Sequence, residues 1–434
     1  MKRHLTTALR LTAATVVAVL AAAGCGSGSG GGSVDPGSVK AEDTGATLKL
    51  WVRPGNESVT DAVVKAYNSS HKNQVEITHV PADQYMTKFA AAAQSGSLPD
   101  ILATDVVYMP QVVRTGAVLD LTSLLAADGA AGHLSPAHTE ASTEGGKVYG
   151  VPYVADTSLY LYNKTLFKQA GLDPDKPPTT WSGLIAAADA ITALGHGNKG
   201  FYLSGNAPST LAYDFTPLIW AQRGNVVSSS ESFQFDNAPT RNALTFLQTL
   251  YRHGDIPETA KTDTGDGFFS VFASGKIGID FAGGNGVNTA AIDAKSKGFT
   301  FGLAPIPGPK SGEIGTFSGG DVASIAASSK HVDQAWDFLD WLVSKQTQQD
   351  VYLKLPALPV RTDVQVPGSL GEQFAVPASL VPHGRVVASP AYNNVVADPQ
   401  GPWLTMIRSV VFDGADPAAA TRKAQSAADA ASGN

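Results

Sequence analysis

Cysteine is almost absent, since Cys25 is the only one in 434 residues. One thiol forms no intramolecular disulfide, and no cysteine-based zinc or iron–sulfur site can be built from it. Charge is scarce too: 16% of residues are charged, with 31 Lys and Arg against 38 Asp and Glu, a formal net charge of −7. Lys2, Arg3 and Arg10 lie in the first 24 residues, which hold no acid, so the chain from Cys25 onward stands at −10. That balance disfavours a nucleic-acid or anionic-membrane footprint, which needs clustered Lys and Arg. No apolar run beyond the N-terminal region approaches the roughly 20 residues of a spanning helix. Nucleotide fingerprints are lacking as well, because AGGNGVNTA fits neither G-x-G-x-x-G nor G-x-x-x-x-G-K-[ST]. No H-E-x-x-H or G-x-S-x-G pattern occurs. The nine histidines, among them His133 and His138 on either side of Pro136, read as scattered surface residues, so no metal and no cofactor is expected. What remains, with 43% hydrophobic and 8% aromatic residues, is a folded chain long enough for two or three domains or one bilobal body.

The lone cysteine has its own context. MKRHLTTALR is a basic start, and LTAATVVAVLAAAG after it is apolar but too short and Ala-rich to span a bilayer, the pattern of an export signal. Ala22, Ala23 and Gly24 before Cys25 resemble a bacterial lipobox, in which the thiol receives a diacylglyceryl group after cleavage. Ala22 stands where that pattern usually has Leu, and Leu20 lies two positions earlier. A plain secreted protein and a buried free thiol are the alternatives. Residues 26–33 read GSGSGGGS, and polar sequence continues to about Gly45; such a coil spans roughly 25 Å and would act as a tether. The expected division is therefore a signal peptide at 1–24, a lipid-anchored linker at 25–45, and a folded body from Ala46, placed at the extracellular face of the cytoplasmic membrane.

From Ala46 the runs TLKLWV, SVTDAVVKAYNSS, QVEITHV, ADQYMTKFAAAAQSG and PDILATD alternate strand and amphipathic helix. Gly96 suits the end of the second helix. The pattern predicts a mostly parallel sheet whose ligand cleft lies beyond the carboxyl ends of its strands, and those ends carry Arg53, Asn56 and Asp105. An aromatic strand within GKVYGVPYVADTSLYLYNKTLF should end at a helix start near Asn163. Further αβ pattern follows, with Trp181 stapling the first turn of TWSGLIAAADAITALG. VDQAWDFLDWLVSKQTQQDVYLK reads as one helix.

Carboxylates and aromatics gather at the predicted strand ends: Asp105, Asp156, Asp280 and Asp321, with Tyr153, Trp220 and Phe281. Two chemistries use these types. A glycosidase needs two carboxyls about 5 to 9.5 Å apart. A sugar-binding cleft needs ionised carboxylates and an Arg to bond hydroxyls, with aromatic faces against the pyranose rings. Helix capping, surface solvation and core packing are the plain alternatives, and the residues alone leave all of these open.

The order of GSLPDILATD, VYGVP, YNKTLF, the TW before a helix, FASGKIGI, SGG, AWDFLDWLVSKQTQQ and LPVR resembles the family 1 extracellular solute-binding lipoproteins of carbohydrate ABC importers, of the maltose, trehalose and raffinose type. The likeness spans nearly the whole mature chain. It implies an α/β periplasmic-binding-protein-like fold of two lobes joined by a hinge of crossing segments, one lobe at 46–155 plus 303–355 and the other at 156–302 plus 356–434. It implies a non-enzymatic monomer that captures a mono- or oligosaccharide and hands it to the permease subunits of the membrane. A receptor for a polyamine, osmolyte or polyol phosphate and a cell-surface glycosidase are the other readings. Carried onto this chain, the resemblance implies that Asp105, Asp156, Asp280 and Arg361 bond hydroxyls, and that Gly320 offers backbone N–H groups. Tyr153, Trp220 and Phe281 are implied to stack, with Trp181, Trp336 and Trp341 in the core. DFAGGNGVN lacks the Trp that relatives carry after GKIGI, which leaves Phe281 or Asn285 in its place.

Overall fold

The computed structural model describes residues 36–433 apart from 266–267, 285–286, 288–293 and 356. The first alternation folds as β1 (Thr47–Val52), α1 (Glu57–Ser70), β2 (Gln74–His79), α2 (Ala82–Ser95) and β3 (Ile101–Asp105). β1 lies parallel to both β2 and β3, since each helix carries the chain back over one face before the next strand. α1 buries Val59, Val63, Val64 and Tyr67 along one stripe, as its apolar spacing requires. α2 stops at Gly96, where φ is 66° and the amide bonds the carbonyls of Ala92 and Ala93; glycine takes that left-handed conformation without a Cβ penalty.

Short helices α3 (Met109–Arg114), α4 (Thr122–Asp128) and α5 (Pro136–Ala141) and the hairpin of β4 (Thr143–Glu144) and β5 (Lys147–Val148) lead to β6 (Val151–Asn163). Asn163 ends this strand and caps α6 (Lys164–Gln169) by accepting from the Leu166 amide, and Thr180 caps α7 (Trp181–Thr192) in the same way through Gly183. Side-chain caps of this kind satisfy amides that the first helical turn leaves without partners. Then come β7 (Lys199–Tyr202), α8 (Pro208–Trp220), α9 (Ala238–Arg252), β8 (Ile277–Gly283), β9 (Phe301–Ala304), the hairpin β10 (Ile306–Pro307) with β11 (Ile314–Gly315), and β12 (Ser318–Ile325).

The strand order is β2-β1-β3-β12-β6-β8-β7, with β9 also on β6. The expected parallel pairing holds at the two flanks, among β1, β2 and β3 and between β7 and β8. The centre is antiparallel. β12 runs against both β3 and β6, and the second half of β6 runs against β8 and β9. β6 (Val151–Asn163) is therefore one strand with two sets of neighbours, β12 along its first half and β8 and β9 along its second.

Two cores flank this centre. One packs Leu48, Leu50, Val63, Tyr67 and Ile101 against Trp336, Phe338 and Leu339. The larger surrounds the second half of β6 with Phe201, Phe215, Leu247 and Trp403 and reaches across to Leu102 and Val106. Ile101 and Leu102, adjacent in β3, enter different cores, as alternate side chains of a strand must. One local expectation changes. The long helix after Ser329 breaks at Ser344 into Val332–Val343 and Lys345–Asp350, because Ser344 is extended (ψ 143°) and its side chain caps the second piece by accepting from the Thr347 amide. Trp181 is buried; its Nε1 donates to the Pro307 carbonyl at 2.7 Å and its ring stacks on Phe246 with centroids 5.0 Å apart, so it joins α7 to β10 and α9.

Candidate functional site

Parallel β1 and β3 deliver the residues after their carboxyl ends to one edge of the sheet, and antiparallel β12 places Asp321 directly opposite Asp105. Arg53 lies between the two carboxylates. Its Nε donates to Asp321 Oδ1 at 2.7 Å, and its Nη2 is 3.2 Å from Asp105 Oδ2. Asn56 Nδ2 donates to Asp321 Oδ2 at 2.8 Å, so both oxygens of this buried carboxylate are occupied. Asp105 is more open, with its side chain 24% exposed and a long bond of 3.3 Å from the Val107 amide to Oδ1. Burial works against the Arg53 charge, but Asp105 and Asp321 outweigh it and hold the guanidinium above its usual pKa. Burial also raises the Asp105 carboxyl, with Arg53 pulling the other way and Asp321 adding to the rise. Two carboxylates thus share one guanidinium.

Further along the crossing strands, Asp156 of β6 pairs in register with Gly319 of β12, and its Oδ1 accepts from the Thr157 amide at 2.8 Å. Glycines make the space around it. A Cβ at Gly283 would lie 2.5 Å from Asp156 Oδ2, and one at Gly319 would lie 2.7 Å from the Tyr213 ring. Tyr213, on α8, feels both ends of this row: burial pushes its hydroxyl well above its ordinary pKa, Asp156 adds to the rise, and Asp105 adds further. Tyr392 is raised by burial and then by Asp105 and Tyr108, and its ring meets Tyr108 edge-on with centroids 5.7 Å apart. The result is a row of polar groups, Arg53, Asn56, Asp105, Asp321 and Asp156, accompanied by three tyrosines. Acceptors and donors so interleaved suit a ligand rich in hydroxyls, and the half-buried rings of Tyr108 and Tyr213 suit its apolar faces, while buried Tyr392 backs Tyr108.

Of the residues singled out from sequence, Asp105, Asp156, Asp321 and Gly320 come together on β3, β6 and β12. Gly320 has φ 113°, and a Cβ there would lie 1.9 Å from the Val154 carbonyl oxygen, so no other residue fits the crossing. The rest are elsewhere. Tyr153 is fully buried in the first core, because strand alternation turns it inward. Phe281 is buried edge-on against Phe201 at 5.0 Å. Trp220 is buried as well, with the Arg385 guanidinium 5.2 Å from its ring centroid and Phe317 at 5.8 Å, so no open face is left for a ligand. Asp280 is buried on β8, where burial, then Asp214 and Asp263, push its carboxyl well above the usual range. Arg361 is committed locally: Nε and Nη2 grip Asp363 at 2.8 and 3.1 Å, and Nη1 donates to the Val343 carbonyl. Asn285 and Cys25 lie outside the described residues. His138, expected at the surface, is buried with Nδ1 2.8 Å from Ser135 Oγ, and burial lowers its pKa to about 4.

Sequence reasoning placed Arg53 and Asn56 at strand ends without giving them a role, and passed over Tyr108, Tyr213 and Tyr392. For Tyr108 the signal was there, three residues after Asp105. Nothing local marks the other two, which reach the row only through the fold.

The sequence profile of the bacterial extracellular solute-binding proteins matches residues 54–349. A putative binding protein of Brucella abortus is 25% identical over 358 residues, covering 81% of this chain and 84% of that one. A maltooligosaccharide ABC transporter solute-binding lipoprotein of Streptococcus pneumoniae is 24% identical over 356 residues, covering 75% and 76%. Among solved structures, the cyclic α-maltosyl-1,6-maltose binding protein of Arthrobacter globiformis superposes with a TM-score of 0.76 at 27% identity, over 90% of this chain and all of that one.

Proposed function

The chain belongs to the bacterial extracellular solute-binding proteins, and from that premise we propose that it is the receptor of an ABC importer, capturing a mono- or oligosaccharide for the membrane permease. The observation that carries this reading is the Arg53, Asn56, Asp105 and Asp321 cluster at the strand ends, with Tyr108, Tyr213 and Tyr392 beside it. Two carboxylates to one guanidinium repel a phosphate and accept from neutral hydroxyls, which favours a sugar over a polyol phosphate. Hydrolysis is disfavoured because both oxygens of Asp321 are engaged by Arg53 and Asn56, which leaves neither free to act on a glycosidic bond. The lobes are assigned as 46–155 plus 303–355 and 156–302 plus 356–434, with β6 and β12 among the crossings. A ligand that touches Asp105 on one side and Tyr213 on the other stabilises a closed arrangement through contacts that an open one lacks.

The direct test is a thermal-shift screen against mono-, di- and trisaccharides, polyamines and polyol phosphates, because a ligand bound only by the folded state raises the melting temperature. A selective rise with one saccharide class is expected. A rise with a polyamine or phosphate and none with sugars overturns the reading. Cys25 is assigned as the lipidated residue, with the Gly/Ser-rich segment as tether and a monomer as the working form. Cys25→Ser should then move the protein from the membrane fraction to the medium, and retention on the membrane would count against the anchor.

A further inference from the structure

The segment His253-Gly254-Asp255 closes α9. Gly254 has φ 79°, which turns the chain sharply enough for the Asp255 amide to bond the Leu250 carbonyl at 3.0 Å and for the Asp255 carbonyl to accept from Phe201 of β7 at 3.2 Å. The loop is thus fixed to both neighbours. Asp255 itself is fully buried. Its Oδ1 accepts from Thr192 Oγ1 at 2.6 Å, and Thr192 Oγ1 in turn accepts from the Gly200 amide at 2.9 Å. Its Oδ2 is buried with no hydrogen-bond partner among the described residues. A buried acceptor left this way costs about 1–3 kcal/mol, more if charged.

Two further ligating groups stand beside it. Asp189, on α7, has Oδ1 2.8 Å from His253 Nδ1, and one donor atom from each of Asp189, His253 and Asp255 lies within 4.8 Å of the other two. Burial, and after it the repulsion of Asp189, pushes the Asp255 carboxyl up to about 6 in spite of the Thr192 bond. Asp189 and His253 are half-exposed, so this side is open to water.

We propose that Asp189, His253 and Asp255 bind a divalent transition-metal ion, with Zn2+ the best match, as a clip that ties α7 to the loop after α9. One imidazole and two carboxylates are a zinc-type donor set, whereas Ca2+ and Mg2+ favour oxygen alone and in larger number. An ion about 2.1 Å from each donor needs them roughly 3.4 Å apart. The fixed Asp255 oxygen sets the position, and the exposed Asp189 and His253 side chains, in direct contact at 2.8 Å, part and turn onto the ion, leaving the fourth place to water. The ion supplies the positive charge that Asp255 Oδ2 lacks. None of the three residues belongs to the Arg53 cluster, so the clip stabilises the fold without entering the ligand site. The donors escape motif reading because Asp189 and His253 are 64 residues apart.

The test uses the full chain without a histidine tag, with Cys25→Ser in every sample so that the thiol takes no part. Co2+ is titrated by visible absorption, Zn2+ by competition with it, and the melting temperature is followed with each. One ion per chain and a melting temperature that rises with Zn2+ are expected. Asp189→Asn and His253→Ala, both at exposed positions, should fold as the parent does without metal, bind at least about tenfold more weakly, and lose the Zn2+-dependent rise. Absence of stoichiometric binding in the parent overturns the proposal, as does unchanged affinity in both variants.

Discussion

Asp105 and Asp321 oppose each other across β3 and β12 with Arg53 between them, whereas the buried Asp214 of α8 and Asp280 of β8 act on each other with no cation beside them among the described residues. Both Asp214 oxygens and Asp280 Oδ1 are buried without a hydrogen-bond partner among the described residues. Burial raises Asp105, but the guanidinium and the Val107 amide oppose it; burial raises Asp214 with nothing set against it. The same residue type at similar strand and helix positions is therefore paired with a cation and half-open in one region, and buried with its charged form disfavoured in the other. The deciding factor is a basic partner brought from far along the chain, since Arg53 and Asp321 are 268 residues apart.

The harshest way to break this contrast is to remove the partner. Arg53→Met leaves Asp105 and Asp321 facing each other without their cation, and loss of one member of a buried charge pair costs about 3–5 kcal/mol. Urea denaturation should show that loss, and calorimetry should find no saccharide binding. Wild-type stability in this variant would mean that the carboxylates hold without Arg53, and the contrast would collapse.

Removing the open carboxylate instead should separate binding from folding. Asp105→Ala is expected to weaken saccharide affinity by about 2 kcal/mol, since it leaves a buried hydroxyl unpaired, while the denaturation midpoint moves much less. Arg361→Ala should do the reverse. Its fork on Asp363 is a local clamp, so a loss of about 2 kcal/mol in stability with unchanged affinity is expected. Weakened binding there would restore the role that the resemblance implied. Arg361 also holds the Asp363 carboxyl down to about 2. That contribution is present above the unfolded carboxyl's value and lost as pH falls through about 2, so the Arg361→Ala penalty should shrink in acid.

The alternation from Thr47 to Asp105 was legible because periodicity, caps and Gly96 all act within a few residues. Asp105, Asp156, Asp321 and Gly320 were legible because strand ends locate clefts, and because the family pattern marks the same places. Tyr153, Phe281 and Trp220 were misplaced for one reason: an aromatic near a strand end faces either core or cleft, and which it faces depends on register with β12 and on neighbours such as Arg385. Tyr213 and Tyr392 went unnoticed because only the packed fold brings α8 and the segment around 392 beside Asp105. The antiparallel centre was hidden likewise, since β12 returns to β3 from more than 200 residues away.

The gentlest probe acts on the neutral region. Asp263 near this pair is satisfied by Tyr202 Oη and Ser204 Oγ at 2.5 and 2.8 Å and by the Gly265 amide, so its pKa is lowered even though burial alone would raise it. Asp214 has no such donor among the described residues and Asp280 only the Phe281 amide, and both are pushed well above the usual range. An unfolded carboxyl titrates near 3.9 (about), so the folded state binds more protons than the unfolded one above that pH. Their contribution to stability is therefore full in acid and declines as pH rises through the folded-state values. Asp214→Asn and Asp280→Asn each remove one of these titrations and supply an N–H to the remaining carboxyl. Each variant should melt close to the wild type at acidic pH and progressively above it as pH rises, with saccharide affinity unchanged at both ends. Melting curves that track the wild type at every pH would mean that the pair is not held neutral by burial, and the two regions would differ only in exposure.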